Sequence, residues 1–303
     1  MPARRNAVLF LVLATVWGSA FVAISAGLDY FPPVLFAALR YDIAGILMLA
    51  YAYVATDQPI PQGRDQLRVV VVAAVFFIAA YHALLFLGQQ HTTSATAAIV
   101  VSLAPVLTTG FARFALPNER LTPIGTIGLG LGVVGVALVA RPEPDALLAP
   151  DAIGVPLIAG AATAFALGSV LTQRAETGLP TITMEAWAML LGAAIMHGVS
   201  LAMPGESIAD VQLTAEALLA IGYLSIVASA AGFLLFFALL DRLGPIEVNL
   251  VSYVSPIVAA VVGWLLLGET VDALAVVGFC TIVAGFALVK RRALASEYAS
   301  LRS

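Results

Sequence analysis

Few residues in this chain could do chemistry, and those few stand inside segments that are otherwise apolar. Arg40 and Asp42 occur in "ALRYDIAG", Tyr81 and His82 in "AAYHALLF", and Gln89 seven residues beyond His82. Seven residues are two helical turns, so His82 and Gln89 share a face, with Tyr81 next door. Arg40 has no acid three or four residues away, and Asp42, two residues on, faces elsewhere. Arg40 could meet a substrate carboxylate or an intramembrane acid; equally, it could hold carbonyls and a loop in place. Asp42 could carry a coupling proton or bond to a neighbouring helix. An unpaired buried histidine is expensive, so His82 needs either a ligand or a structural partner. Glu185 lies within a turn of its segment's start, where a carboxylate suits the helix dipole.

Other chemistries find no support. Three histidines and one cysteine are dispersed, so no zinc motif is present, and neither HExxH nor a glycine-rich phosphate loop after a strand occurs. Cys280 alone forms no internal disulfide and reads as a buried small hydrophobe. Nothing in the spacing requires Ser169 to meet His82 as nucleophile and base. No enzyme activity, cofactor, metal or nucleic-acid partner is expected.

The elements that must position these residues follow from composition. Of 303 residues, 61% are hydrophobic and 11% charged, against about 25% charged in soluble domains. A globule this apolar could not cover its surface, so the chain reads as an integral membrane protein with the lipid bilayer as its surroundings. A bilayer core requires about 20 apolar residues per helix. Such runs fall near 7–26, 34–54, 68–88, 95–114, 123–139, 153–171, 183–203, 217–239, 246–267 and 271–289. They are too long and too uniformly apolar for barrel strands. "MPARRNAVLFLVLATVWGSA" has the look of a cleaved leader, but its apolar run continues to about Ala26, long enough to span, and a counterpart recurs in mid-chain.

Ten crossings place both termini on one side. Arg4, Arg5, Arg64, Arg68, Arg113, Arg120, Arg174, Arg242, Lys290, Arg291, Arg292 and Arg302 then share that side, only Arg141 lies opposite, and Arg40 is within a span. By the positive-inside rule the shared side is the cytoplasm, and a bacterial-type inner (cytoplasmic) membrane is expected. Arg40 then lies about 10 Å from the outer start of its helix, deep for a snorkelling cation.

The chain also repeats. An offset of 151 carries Pro105 to Pro256 and "LLF" at 84–86 to "LFF" at 235–237; an offset of 148 carries "AT" at 14–15 to 162–163, Pro32 to Pro180 and Trp17 to Phe165. Glu119 matches Glu269 after one insertion. Five spans match five, and an odd unit delivers its second copy upside down. The expected units are residues 1–145, 146–292 and a cytoplasmic tail 293–303. Pro105 and Pro256 displace the carbonyls of Val101 and Ser252. Two such matched breaks read as cavity-lining, gating elements. Trp17 and Phe165 would be cavity walls. Asn249, Tyr253 and Pro256 share a face, and Tyr253 is counted with the cavity residues. "GLGLGVVG" gives Gly128 and Gly132 GxxxG spacing, for close packing within the chain or against a second copy, a homodimer.

"WGSAF", "ALRYDIAG", the block "SLAPVLTTG…NERLT", its copy "SYVSPIVAAVVGWLLLGET" and the glycine-rich fifth span resemble the drug/metabolite transporter superfamily, within it the EamA-type carriers. The overall look is similar to the YddG-like amino-acid exporters. The resemblance implies an all-α fold of ten transmembrane helices, as two inverted five-helix repeats around a central cavity, working by alternating access. In that family the position of Arg40 resembles a common structural arginine. With Arg40 as the one interior cation, a phosphate cargo is poorly served. Trp17, Arg40, Tyr81, His82, Phe165 and Tyr253 suit an amino acid, aromatic ones included, or a similar small metabolite. A broad-specificity efflux carrier and a passive channel are the alternatives. Cysteines introduced near Arg5 and Ser303 are expected to react with a membrane-impermeant maleimide only after the cytoplasmic face is opened; labelling of one end from outside would break the ten-span reading.

Overall fold

The computed structural model describes residues 2–115, 123–140, 150–173 and 177–300. Glu119, Arg120, Arg141, Arg174 and Arg302 lie outside the described residues. Among the described residues ten helices are long and apolar enough to cross a membrane: α1 (Arg4–Gly27), α2 (Pro33–Ala55), α3 (Gly63–Gln89), α4 (Ser94–Ala112), α5 (Pro123–Ala140), α6 (Gly154–Gln173), α7 (Thr181–Ala202), α8 (Ala215–Leu243), α9 (Glu247–Leu267) and α10 (Ala273–Arg291). The α10 helix continues to Ser300. The protein is an all-α, multi-pass membrane protein, as its composition requires.

Packing follows a rule of exchange. The α2 helix lies against α7, α5 against α10 and α4 against α9; α1 packs on α9 as α6 packs on α4, and α1 on α8 as α6 on α3. For these pairs, exchanging each helix of the first five with its counterpart in the second five returns the same set, whereas the α2–α3 contact has no comparable counterpart between α7 and α8. Neighbours α2 and α7 run antiparallel. Beyond the end of α2, the Gln58 carbonyl accepts from Thr183 near the start of α7 (2.7 Å), and the Pro59 carbonyl accepts from Trp187 Nε1 (2.9 Å). Beyond the end of α7, Glu206 accepts from the amides of Val34 and Leu35 at the start of α2, at 2.7 and 2.9 Å.

That contact solves a problem every helix start has. The first turn leaves unpaired N–H groups, and a carboxylate there meets both the donors and the positive dipole end. Glu269 does the same for α4, taking the Ser94 amide at 3.0 Å and the Ser94 hydroxyl at 3.0 Å. Its position comes from local sequence. Gly268 ends the helix in the left-handed region at φ 67°, with Glu269 N bonded to Gly263 O at 3.2 Å. A Cβ on Gly263 would stand 2.6 Å from Glu269 Oε2, so glycine there leaves room for the carboxylate.

The matched irregularities differ from those expected at the prolines. The α4 helix does break, at Ser102–Leu103, and Pro105 follows in the first turn of the segment Ala104–Ala115, where its missing N–H costs nothing. In α9 the interruption is at Leu250, and Pro256 sits inside the continuous stretch Val251–Leu267. There Ser255 Oγ donates to Val251 O at 2.9 Å, which binds up a carbonyl of the turn ahead of the proline. The irregularity present in both halves is a π-helical stretch, Ala74–Ala80 in α3 and Tyr223–Ala231 in α8. π turns are rare and offset the backbone bonding by one residue.

The GxxxG glycines divide between two neighbours of the same chain. A Cβ on Gly128 would lie 2.6 Å from Gly285 O of α10, and one on Gly135 2.7 Å from Gly278 O; Gly132 faces Leu103 instead. The α5–α10 seam is therefore backbone against backbone. Gly128→Val is expected to destabilise the purified protein by about 1–3 kcal/mol through overpacking, read as a lower unfolding temperature in detergent. Gly130→Ala, with nothing within 4 Å of the new methyl, is expected to be neutral or better. Equal behaviour of the two would contradict the seam.

Candidate functional site

Hydrocarbon offers no partner to a cation, so the surroundings of Arg40 matter most. It is buried on α2, and its Nε donates to Ser229 Oγ in the π stretch of α8 at 2.8 Å. Its guanidinium carbon lies 5.1 Å from the Tyr41 ring centre and 6.0 Å from that of Phe86. Among the described residues no carboxylate pairs with it, and the Ser229 bond is its one hydrogen bond. A guanidinium has five donors, so its two Nη groups are left for something else.

Beside it, Tyr41 and His82 form a chain with a fixed sense. His82 Nδ1 is 3.0 Å from Ile78 O, and a carbonyl only accepts, so Nδ1 carries the proton. In the neutral ring Nε2 is then the acceptor, and the Tyr41 hydroxyl donates to it at 2.6 Å. Both nitrogens are engaged and neither meets Ser169, so the nucleophile–base pairing is not formed. Ile78 and Ser229, which hold His82 and Arg40, stand 151 residues apart, one in each π stretch.

The aromatic positions obey the same offsets. Phe165 of α6 packs on Phe77 and Tyr81 of α3, with ring centres at 5.0 and 5.5 Å. Its counterpart Trp17 of α1 packs on α8, where the residues equivalent to Phe77 and Tyr81 are Ala228 and Gly232. The indole Nε1 bonds to Ala228 O at 3.1 Å, and a Cβ on Gly232 would stand 2.9 Å from that nitrogen. A larger ring in one half is matched by smaller partners. Trp17 also meets Phe233 and Phe236 at 5.8 and 5.3 Å. Tyr81 stands edge-on to His82 at 4.5 Å. Trp17, Arg40, Tyr81, His82 and Phe165 thus form one connected layer running from α6 through α3 and α2 to α8 and α1.

The remaining expected residues lie elsewhere. Tyr253 packs on Phe286 of α10 at 4.8 Å, its buried hydroxyl without a partner among the described residues. Gln89 shares a face with His82 but turns to α1, donating to Phe21 O and to Ser25 Oγ at 2.9 Å. Asn249 is exposed. Glu185 is buried and has no hydrogen-bond partner among the described residues. Asp42 faces away from Arg40 and bonds through Oδ2 to His197 Nε2 of α7 at 2.7 Å. Sequence reasoning passed over Tyr41, Ser229 and His197. A signal existed for His197, a histidine inside an apolar run; a serine in "SIVASAAG" carries none.

The EamA-like transporter family model matches residues 5–141 and again 152–291. The chain belongs to the EamA-like transporter family. It is 26% identical over 277 residues to the uncharacterized inner membrane transporter YedA of Escherichia coli, covering 89% of this chain and 87% of that one. The uncharacterized transporter YvbV of Bacillus subtilis is 27% identical over 99% of this chain and 96% of its own. A probable terminal-alkyne amino-acid exporter of Streptantibioticus cattleyicolor is 30% identical, over 95% of each. A crystal structure with 22% identity matches at a TM-score of 0.66 over 97% of this chain and 99% of that one, a likeness of fold. This EamA-like chain is therefore a transporter of the drug/metabolite type.

In this EamA-like protein, Tyr41→Phe leaves His82 Nε2 buried and unsatisfied, at a cost of about 1–3 kcal/mol. Tyr41→Phe with His82→Leu is expected to cost clearly less than the sum of the two single changes. Thermal unfolding of the four proteins in detergent reads the coupling, and additive losses would show that the bond is not formed.

Proposed function

We propose that this protein exports amino acids, aromatic ones included, or closely similar small metabolites by alternating access. In this reading residues 1–145 and 146–292 are inverted repeats that rock about the layer between them, and both termini lie in the cytoplasm. The twofold family match, the exchange of helix contacts and the antiparallel α2 and α7 support the inversion. The exporter among its relatives supports the cargo class.

The observation that carries the reading is Arg40. A buried cation with one neutral hydrogen bond is an arrangement that stability alone disfavours, because desolvation costs several kcal/mol per ion. A substrate carboxylate on the two Nη groups compensates that charge in a bidentate geometry. Ser229 holds the guanidinium from the opposite half, so substrate binding bears on the contact between the halves. The rings of Tyr81, Phe165 and Trp17 offer apolar surface to the rest of the molecule. Trp17, Tyr81, His82 and Phe165 are the wall in this reading; Tyr253, with Pro105 and Pro256, belongs to the moving helices α4 and α9.

The test is counterflow of labelled amino acids in liposomes carrying the purified protein. Saturable counterflow is expected, and conduction without saturation would indicate a channel. Arg40→Gln is expected to weaken half-saturation by about a hundredfold, given 2–5 kcal/mol for removing one partner of a buried charge pair. Arg40→Lys keeps the charge but loses the planar fork and should fall between. Wild-type affinity in Arg40→Gln, or no counterflow across a broad panel, would refute the assignment.

A further inference from the structure

We propose that Asp42 and His197 together form a proton-binding site that couples substrate movement to a pH gradient. The proposal rests on the transport reading above only for its coupling step; proton binding is separate. Asp42 belongs to α2 in the first half and His197 to α7 in the second. Their hydrogen bond of 2.7 Å spans the seam between them, and their side chains are 38% and 36% exposed. The exposed side chains nearest in sequence, Ile43, Ile46 and Val199, are apolar. Asp42 is nine residues into its helix, about 14 Å along the axis. The pair therefore stands within the apolar span, on the outward side of the seam, away from Arg40.

Ionisable side chains at such depth are costly and mark function by default. Holding α2 to α7 does not require them. The seam is already closely packed, with Leu190 of α7 2.8 Å from where a Cβ on Gly45 would be, and both ends are tied by the Glu206 and Thr183 contacts. What the pair adds is the ability to change charge by one. With Nε2–H donating to the carboxylate, neutral His197 leaves the pair at −1. One proton taken up on Nδ1 makes it imidazolium–carboxylate, net zero, with the hydrogen bond kept. Nδ1 of His197 has no partner among the described residues, so it is open to that proton. His82 differs here, since both its nitrogens are occupied.

The surroundings leave the pair to itself. On α2 the other ionisable groups are Arg40 and Tyr41, bonded to Ser229 and His82, and the exposed Tyr51 and Tyr53, nine and eleven residues further along the helix. On α7 Glu185 is twelve residues away, toward the opposite end. Of the groups on helices packed against these two, namely Arg64, Asp65, Arg68, Tyr81 and His82 of α3 and Glu216, Tyr223, Asp241 and Arg242 of α8, none bonds to the pair. Glu206 of the following loop is held by the α2 amides.

Coupling follows from the two-residue spacing. Arg40 and Asp42 project from one rigid helix about 200° apart, one to α8 and one to α7. A movement of α2 that alters the substrate site alters the proton site as well. In each cycle one proton passes from water on one side to the pair and on to water on the other side, against or with one substrate.

The experiment uses the full chain in liposomes, with labelled phenylalanine first and the amino-acid panel after it. Coupled one to one, a pH gradient of one unit sustains about a tenfold concentration ratio. Asp42→Asn and His197→Gln are expected to abolish that accumulation while counterflow without a gradient stays within about twofold of wild type. The exchanged pair, Asp42→His with His197→Asp, keeps the hydrogen bond and is expected to recover part of the accumulation, which guards against simple misfolding. Infrared difference spectra of the reconstituted protein between mildly acidic and mildly alkaline buffer need no substrate; they should contain an imidazole–carboxylate signal that either single variant removes. Retention of that signal and of gradient-driven accumulation in His197→Gln would overturn the proposal. Absence of counterflow in the wild type would sink the cargo assignment alone, with the infrared signal still deciding on the proton.

Discussion

Hydrocarbon has no hydrogen bonds to give, and most of the detail in this protein answers to that fact. A helix start, kink or buried polar side chain is costly there unless it finds a partner within the bundle. Helix starts are met by Glu206 and Glu269, carboxylates reaching from loops of the second half to helices of the first. Turns loosened by proline or by small residues are met by Ser and Thr hydroxyls bonding back along their own helices. The π stretches present carbonyls that side chains then use: Ile78 O takes His82 of its own helix, and Ala228 O takes Trp17 of α1. Glycines at the α5–α10 seam let backbones approach where no hydrophobic drive toward association exists.

Against that background, unbalanced groups stand out. Apolar surface of similar size would serve packing better than a buried guanidinium with one hydroxyl partner. The same holds for a half-exposed carboxylate–imidazole pair placed within an apolar span. Both lie on α2, on opposite faces, and each is tied to a helix of the second half. This gives α2 a place in the proposed transport cycle that the proline-bearing helices were expected to have.

The two halves are alike in frame and unlike in polarity. Matching offsets place Phe165 and Trp17 at corresponding positions, Phe165 against the rings of Phe77 and Tyr81 and Trp17 against the backbone at Ala228. Arg40, Tyr41 and His82 have Ala188, Met189 and Phe233 at the corresponding positions. In the proposed cycle the duplicated frame supplies the rocking motion, and substitutions confined to one copy supply the substrate site.

The length and uniform apolarity of the runs were enough to read ten helices from the sequence, because a bilayer tolerates little else at that composition. The repeat was legible for a similar reason: a frame used twice leaves residues at fixed offsets. So was the unusual standing of Arg40, since one cation in an apolar run needs explaining wherever it points. What the sequence could not carry was direction and partnership. Whether Pro256 breaks its helix is not readable from the proline itself: in the fold α9 runs on through it, with Ser255 bonding back to Val251 O. GxxxG spacing announces a close contact without saying with what; only packing assigned Gly128 to α10 and Gly132 to α4. Arg40 with Ser229 and Asp42 with His197 join residues 189 and 155 positions apart. Helical spacing says that Arg40 and Asp42 face different ways, but the helix that waits on each side is decided by the tertiary fold alone.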